Sequence, residues 1–262
     1  MPPPNDSPIV FPVDCSIAVN ANGTFTISPA LAALIVAARE GYDWPAGTSP
    51  ALSQAKVLDL EAVVTGLMTP LTPAKALDIV RKVSSWGGNN KNAQADIEAA
   101  TPFHQAKMAE AIVAIGALAT LKEGLNALSV LPGLRLVMAT KVYRFCYPVL
   151  GAGAIDRHAS YFFNSIPAVS AAGIPLSLTD FRREWSTGKH TKSRLAIYEP
   201  NGYNHNLTVF VDKYLIVLEK IATALNVSGV TYTCAATDAV NMWHPADVEM
   251  AAYYWWAQNG LA

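Results

Sequence analysis

Two side chains in the middle of the sequence have the chemistry of a catalytic pair: the carboxylate of Asp156 and the amine of Lys141. A carboxylate stabilises positive charge that develops on a substrate and orients an attacking water or amine. A lysine whose pKa is lowered by burial can act as a Schiff-base nucleophile. Each residue also has a structural interpretation, Asp156 as the cap of the helix that follows it and Lys141 as a structural or phosphate-pairing cation.

The segment that carries both residues, 128–163, predicts two helices joined by a tight turn at Pro132-Gly133. A glycine-rich loop and a helix that Asp156 opens come next. A turn between two helices can aim backbone N–H groups at a phosphate, with the positive end of the second helix behind them. Such a contact does not depend on base sequence, and the side chain of Arg135 is placed to add to it.

This segment resembles the helix-hairpin-helix DNA glycosylase superfamily through Leu131-Pro132-Gly133, Ala139 and Asp156, which lies 23 residues after Gly133. In that family the hairpin grips the DNA backbone, and an Asp a little over twenty residues later is catalytic. The resemblance is strong over roughly 35 residues and weaker over about 80–260, where the order of helices is similar to the oxidised-guanine branch. It implies a catalytic Asp156, DNA contacts by Gly133 and Arg135, and no cofactor or metal.

Two positions depart from the family pattern. Arg135 stands where the hairpin carries its second glycine, and Val137 stands where bifunctional relatives carry the amine nucleophile. The valine implies a monofunctional enzyme in which water attacks. Lys141 is the alternative nucleophile, because it lies one turn later on a helix that is apolar nearly all round. Burial in such a helix would lower the lysine pKa, whereas Asp156 nearby would raise it.

Further DNA contacts are predicted beside the catalytic residues. Arg157 and His158 directly follow Asp156 and can reach a phosphate, with a structural role as the alternative for His158. The polar loop 84–92 lies where these glycosylases push a side chain into the gap left by an extruded base, an extrusion that opens the stacked base to chemistry. The candidates in this loop are Asn89, Asn90 and Lys91, and an ordinary glycine-rich turn is the alternative.

Charge is unevenly distributed along the chain. Residues 131–194 hold nine Lys/Arg and three acidic residues, a net charge of +6, whereas the rest of the chain has a net charge of −7. This asymmetry favours one phosphate-facing side on an otherwise acidic protein, with chance clustering on solvated faces as the alternative.

The composition, 52% hydrophobic and 15% charged, predicts a chain with a large core. Its three cysteines, Cys15, Cys146 and Cys234, form no CxxC pair, so we expect neither a disulfide framework nor a zinc or iron–sulfur site. The first residues lack the pattern of a signal peptide, and the apolar stretches are too short for a transmembrane helix. We therefore expect a soluble cytoplasmic protein.

The pattern of the remaining chain predicts a mainly α protein. Cys15–Ile27 alternates weakly around an Asn22-Gly23 turn, which predicts a short β-hairpin within an arm of residues 1–27. Residues 28–262 are expected to form the helical glycosylase domain, with two helical subdomains flanking a cleft and the helix-hairpin-helix at about 122–147. Helices are predicted near 28–40, 53–68, 73–85, 102–120, 122–130, 136–147, 156–165, 178–186, 203–225 and 245–258. The aromatic run 253–256 favours core packing over a stacking wall for an extruded base.

Together these features predict a monomeric DNA glycosylase that hydrolyses the N-glycosidic bond of a modified or damaged base and leaves an abasic site. Its partner is double-stranded DNA with an extruded base. The base is expected to be similar to 8-oxoguanine, in repair, or a hypermodified phage base, in antiviral defence. One alternative is a catalytically inactive helix-hairpin-helix module that binds DNA. Another is a helical protein unrelated to DNA, in which the Leu-Pro-Gly match is coincidental.

Overall fold

The structure is a computed structural model that describes residues 11–45, 47–88, 91–150, 153–185, 193–196 and 200–259. The chain is mainly helical, as predicted. The helices are α1 (Pro29–Glu40), α2 (Pro50–Leu67), α3 (Pro73–Trp86), α4 (Lys91–Glu98), α5 (Pro102–Ala114), α6 (Leu121–Ser129), α7 (Leu136–Cys146), α8 (Arg157–Ser165), α9 (Pro200–Val209), α10 (Leu215–Val227) and α11 (Pro245–Asn259). One turn of π-helix, Phe210–Tyr214, joins α9 to α10.

Four helices begin with the same local chemistry. The side chains of Ser28, Ser49, Thr72 and Thr101 each accept a backbone N–H from three residues later, and a proline follows each of them directly. Proline suits this position because the first helical N–H has no partner within the helix and its φ is already helical. The sequence predicted three of these starts, and the fourth places the beginning of α2 at Pro50, slightly before the predicted position.

Several helix predictions need correction. Helix α4 was not predicted, and the helix predicted over 102–120 ends at Ala114, before a 3-10 turn over Leu118–Thr120. The helix predicted over 178–186 is wrong in its described part, 178–185, where β5 (Arg183–Trp185) pairs with β6 (Ser193–Leu195) instead. Side chains distant in sequence satisfy its backbone, since the amide oxygens of Asn164 and Asn206 accept from the N–H groups of Phe181 and Arg182. Such partners replace the hydrogen bonds that a helix would supply.

The predicted N-terminal hairpin is present and belongs to a larger sheet. Strand β1 (Ile17–Val19) pairs antiparallel with β2 (Phe25–Ile27), around a turn in which Gly23 has a φ of 78°. Strand β1 also runs parallel to β3 (Ala168–Ser170), which pairs with β4 (Pro175–Leu176). A separate short hairpin joins β7 (Tyr232–Thr233) to β8 (Val240–Asn241). The N-terminal hairpin is therefore hydrogen-bonded, through β1, to a strand more than 140 residues later, and it does not form a separate arm.

The helices pack mainly in two groups. Helices α2 to α7 contact one another, and α11 packs against α1, α8 and α10. In the first group, α7 is buried along its length except at Val137. The buried side chain of Arg144 on α7 connects the groups, because it reaches Glu61 on α2 and Met250 on α11. Within the described part of the chain, each helix is too short or too polar to span a bilayer.

Candidate active site

Asp156 caps helix α8, as the structural interpretation of this residue predicted. Its backbone is extended, with φ −138° and ψ −173°, and its Oδ1 accepts the N–H of Ala159 at 2.8 Å. The side chain is half-buried. The hydrogen bond fixes one carboxylate oxygen against the positive end of the helix.

Two side chains that the sequence reasoning missed hold the chain immediately before Asp156. The hydroxyl of Thr140, in the middle of α7, accepts the N–H of Ile155 at 3.1 Å. The hydroxyl of Tyr214 donates to the carbonyl of Ala154 at 2.9 Å. Thr140 and Tyr214 are both fully buried, so the backbone that carries Asp156 is fixed against two different helical elements. Thr140 has a weak signal in the sequence, as a polar residue on an otherwise apolar stretch of helix.

Lys141 lies next to Thr140 and is buried, with 9% of the residue exposed. Its Nζ donates to the carbonyl of Gly87 at 3.0 Å and lies 5.7 Å and 5.5 Å from the ring centres of Trp44 and Trp86. Burial lowers the pKa of Lys141, whereas the negative charges of Asp156 and Glu249 oppose that change. The predicted burial of this lysine is therefore present, and the direction of its pKa is the one that a nucleophilic amine needs.

An aromatic enclosure, formed by Tyr42, Trp44, Trp86 and Tyr253, lies next to Lys141 and His158. The half-buried ring of Tyr253 makes edge contacts with Tyr42, Trp44 and His158, at centroid distances of 6.1, 5.4 and 5.2 Å. Burial raises the pKa of Tyr253, and Asp156 is the charge that raises it most. Tyr253 thus lies beside the candidate carboxylate, whereas the next aromatics along α11 pack inwards.

The rest of that aromatic run follows the core prediction. The ring of Trp255 stacks on Phe11 at 4.6 Å, and the ring of Trp256 stacks on Tyr161 at 5.1 Å. Both contacts join α11 to other parts of the chain. The run therefore divides by helical face, with Tyr253 at the candidate site and the two tryptophans in packing contacts.

Glu249 is a second carboxyl that the sequence reasoning missed. It lies one turn before Tyr253 on α11 and is buried. Burial raises its pKa to about 8; Arg144 and Lys141 oppose that change, whereas Asp156 adds to it. The only signal in the sequence is an acidic residue one turn from an aromatic residue on an apolar helix.

The two residues after Asp156 are also half-buried, and His158 faces the enclosure. Burial lowers the pKa of His158, with Arg157 acting in the same direction and Asp156 against it. The Nδ1 atom of His158 is buried and has no hydrogen-bond partner among the described residues. A phosphate contact by Arg157 or His158 stays a prediction.

The predicted helix-turn-helix at Pro132-Gly133 is present. The N–H of Leu134 donates to the carbonyl of Leu131, and Gly133 has a φ of 71°. A Cβ atom at Gly133 would overlap the carbonyl oxygen of Ala93 on α4, so the glycine serves both the turn and its close packing on that helix. Arg135 has an extended backbone, with φ −142°, which any residue adopts, so the missing second glycine causes no strain here.

A groove of about 660 Å³ lies between this hairpin, helix α4 and the end of α3. The exposed Arg135 and the half-buried Val137 line one side, and Gly87 and Gly88 line another. Lys91 is exposed at the first position of α4, whereas Asn89 and Asn90 lie outside the described residues. Because Gly87 also accepts the hydrogen bond from Lys141, the hairpin groove and the buried site share one wall.

Burial changes the charge argument for residues 131–194. Lys141 and Arg144 are inside the protein, so two of the nine basic residues do not present charge to a surface. Arg183 lies over the ring of Tyr161, with its guanidinium carbon 3.7 Å from the ring centre. Lys189 and Lys192 lie outside the described residues. The surface charge of this segment is therefore smaller than the sequence suggested.

Comparison with known proteins adds no identification: no family model, no curated protein and no solved structure matches this chain.

Proposed function

We propose that this protein is a DNA glycosylase that removes a modified base by hydrolysis of its N-glycosidic bond. The observation that carries the proposal is the placement of Asp156. Its carboxylate is held at the start of a helix, its backbone is anchored by Thr140, and an aromatic enclosure with a buried lysine lies beside it. A pre-oriented carboxylate beside aromatic walls suits a reaction in which a planar base leaves a sugar.

In the proposed reaction the bond between C1′ of deoxyribose and the base nitrogen breaks, and its electron pair leaves with the base. Positive charge develops on the sugar, and the ionised Asp156 stabilises that charge. Asp156 also orients a water molecule, whose oxygen bonds to C1′. The proton that water loses ends on the departed base, and the product is an abasic site in an intact strand.

DNA contact is assigned to the hairpin and the groove beside it. Helix α7 begins without a side-chain cap directly after the turn that Gly133 forms, and Arg135 is exposed there. Helix N-termini favour phosphate groups. Lys91, Arg157 and His158 are assigned further backbone contacts, and Asn89, Asn90 and Lys91 remain the candidates for filling the gap in the DNA.

Water is the proposed nucleophile and Lys141 the alternative. The lowered pKa of Lys141 favours a nucleophilic amine. Against that, its Nζ is enclosed by two tryptophan rings and donates to the carbonyl of Gly87. An attack by Lys141 would require that this hydrogen bond break and that the ammonium lose its proton before it attacks, whereas a water molecule attacks in its neutral form and loses its proton as the bond to C1′ forms.

The substrate class is a modified base in duplex DNA, either a repair substrate similar to 8-oxoguanine or a hypermodified base of phage DNA. Incubation of the protein with duplexes that carry different modified bases, followed by hot alkali, tests the proposal. Alkali converts abasic sites into strand breaks, so a break at the modified position is the expected result. Intact strands with every duplex would contradict the assignment.

A further inference from the structure

Glu249 has a carboxyl group without the partners that a buried carboxyl normally has. Its side chain is only 10% exposed, yet no hydrogen bond joins it to any residue that the structure describes. The nearest cationic atom is Nε of Arg144, at 3.9 Å, which is beyond hydrogen-bond distance. A largely buried carboxyl without a hydrogen bond is uncommon in folded proteins, so Glu249 calls for an explanation.

An ion pair with Arg144 does not explain Glu249. Both NH2 groups of Arg144 are engaged, because one donates to Glu61 at 3.1 Å and the other contacts the sulfur of Met250 at 3.7 Å, whereas its Nε has no hydrogen-bond partner among the described residues. Glu61 is the closer carboxylate and is more exposed, with a side chain that is 27% exposed. The structural role of balancing Arg144 therefore falls to Glu61, and the hydrogen-bonding capacity of Glu249 is unused.

Glu249 is also positioned towards the candidate site. It is four residues before Tyr253, on the same face of α11, and Tyr253 forms a wall of the aromatic enclosure. The ionisable groups around Glu249 come from every element packed on it: Arg39 and Tyr42 from α1 and its end, Lys141 and Arg144 from α7, Asp156 from the start of α8, Tyr214 from the π turn, and Tyr253 from α11. The site thus holds two carboxyls, and the reaction uses only one.

We propose, on the basis of the proposed function, that the Glu249 carboxyl recognises the extruded base by pairing with an edge that presents an N–H donor beside a carbonyl oxygen or ring nitrogen. A carboxylic acid carries a donor O–H and an acceptor C=O side by side, so it complements such an edge with two hydrogen bonds. Asp156 then acts on the sugar, and Glu249 and Tyr253 hold the base.

The protonation of Glu249 agrees with this pairing. Burial raises its pKa to about 8, so at neutral pH the carboxyl is mainly in the protonated form that can both donate and accept. As the pH rises through 8, the carboxylate form takes over and the donor is lost. Base recognition should therefore weaken above about pH 8. Ionisation of a general base would have the opposite effect, because it would raise the rate as the pH increases.

Two substitutions at position 249 separate recognition from packing. Glu249→Gln keeps one donor and one acceptor at the same length, whereas Glu249→Met keeps the length and removes both. Single-turnover base release is measured between pH 6 and 9.5 on duplexes with 8-oxoguanine, uracil or 5-hydroxymethylcytosine. Glu110→Gln is the matched control, because it makes the same change at an exposed glutamate on α5 whose ion-pair partner is Lys107.

At pH 7 we expect Glu249→Gln to release the base at a rate within about threefold of wild type. Glu249→Met should release it about 10–100-fold more slowly, which corresponds to the loss of a two-hydrogen-bond contact with a base, about 1–3 kcal/mol. The wild-type rate should fall above about pH 8, whereas the Gln variant should not follow that fall. Both variants should bind unmodified duplex as wild type does and should unfold at a similar temperature. Glu110→Gln should keep the wild-type pH profile.

Three results would overturn this inference. A Met variant with the wild-type rate and pH profile would show that Glu249 does not contact the base. A Gln variant as slow as the Met variant would show that the ionised carboxylate is needed, for example to hold Arg144. If the wild-type protein releases no base from any of these duplexes or from the wider set of modified bases, the proposed function itself fails. That failure is recognised before any variant is compared.

Discussion

At the scale of single residues, Asp156 combines an observed structural role with a proposed chemical one. Its Oδ1 caps α8 through the N–H of Ala159, and the same hydrogen bond orients the carboxylate. The two roles can be separated, since asparagine is as good a helix cap as aspartate but lacks the negative charge. A functional test with alanine alone would confound loss of the cap with loss of the charge.

The capping role predicts different stabilities for two variants. Asp156→Ala should lower the free energy of unfolding by about 1 kcal/mol, because the N–H of Ala159 loses its partner. Asp156→Asn should lie within about 0.5 kcal/mol of wild type, because its amide oxygen can replace the carboxylate as cap. Urea denaturation of the three proteins measures both differences. Equal losses in the two variants would mean that the negative charge, not the hydrogen bond, stabilises α8.

The second prediction at this scale concerns the attacking group. If water attacks, borohydride added during turnover should trap no covalent complex with DNA, because no imine forms. Lys141→Gln should then change the rate without changing the type of product. A complex trapped with wild type and lost only in Lys141→Gln would instead make Lys141 the nucleophile. The enclosure of its Nζ by Trp44 and Trp86 is the reason for expecting the first result.

At the scale of elements, the hairpin depends on a glycine that both turns the chain and packs closely. A side chain at Gly133 would be strained by the positive φ and would also meet the backbone of Ala93 on α4. Gly173, in the turn between β3 and β4, has a similar φ of 75° but no atom within 4 Å of an added Cβ. The two glycines therefore separate the effect of backbone conformation from the effect of contact.

Substitution of these two glycines by alanine should give unequal losses of stability. Gly173→Ala should lower the free energy of unfolding by about 1–2 kcal/mol, the penalty for a left-handed conformation. Gly133→Ala should lower it by a further 1–3 kcal/mol or so, because the hairpin or α4 must shift to relieve the overlap. Chemical denaturation measures both, and equal losses would mean that the hairpin moves away from α4 without penalty.

The predictable elements were those defined by local chemistry. The Ser/Thr-Pro starts, the Asn22-Gly23 hairpin and the turn at Gly133 follow from short-range rules, and Lys141 was predicted to be buried because α7 is apolar nearly all round. The strand at 183–185 could not be predicted from local patterns. The backbone N–H groups just before it donate to the side chains of two asparagines that are distant in sequence. Within the candidate site, the spacing from Gly133 singled out Asp156 as a candidate, whereas Glu249 and Thr140 acquire their places only through tertiary packing.

At the scale of the whole molecule, a net charge of −1 must be reconciled with the proposed binding to DNA. Residues 131–194 have a formal net charge of +6, but Lys141 and Arg144 in that segment are buried. The charge available to phosphates therefore has to come from a few exposed residues at the hairpin and groove. Arg135 is exposed where α7 begins and lines that groove, which makes it the residue on which binding should depend most.

This charge distribution predicts how DNA affinity responds to salt and to substitution. The logarithm of the association constant should fall linearly with the logarithm of salt concentration, because phosphate contacts release counterions. Arg135→Glu should weaken binding to all duplex sequences alike and should reduce the salt slope. Lys220→Glu is a matched control, since Lys220 lies near the β1–β2 turn and not at the hairpin. Equal effects of the two substitutions would place the DNA elsewhere.

The central claim is that Asp156 drives release of a base from DNA, and one comparison tests it directly. Wild type and Asp156→Asn are each incubated in excess over duplexes that carry different modified bases, and the free base is detected by mass spectrometry. We predict that wild type releases at least one base and leaves an alkali-labile site. Asp156→Asn should bind the same duplex with similar affinity but release the base at least about a hundredfold more slowly, as expected when the main charge stabilisation is removed. Release at the wild-type rate by a folded Asp156→Asn protein would contradict the account.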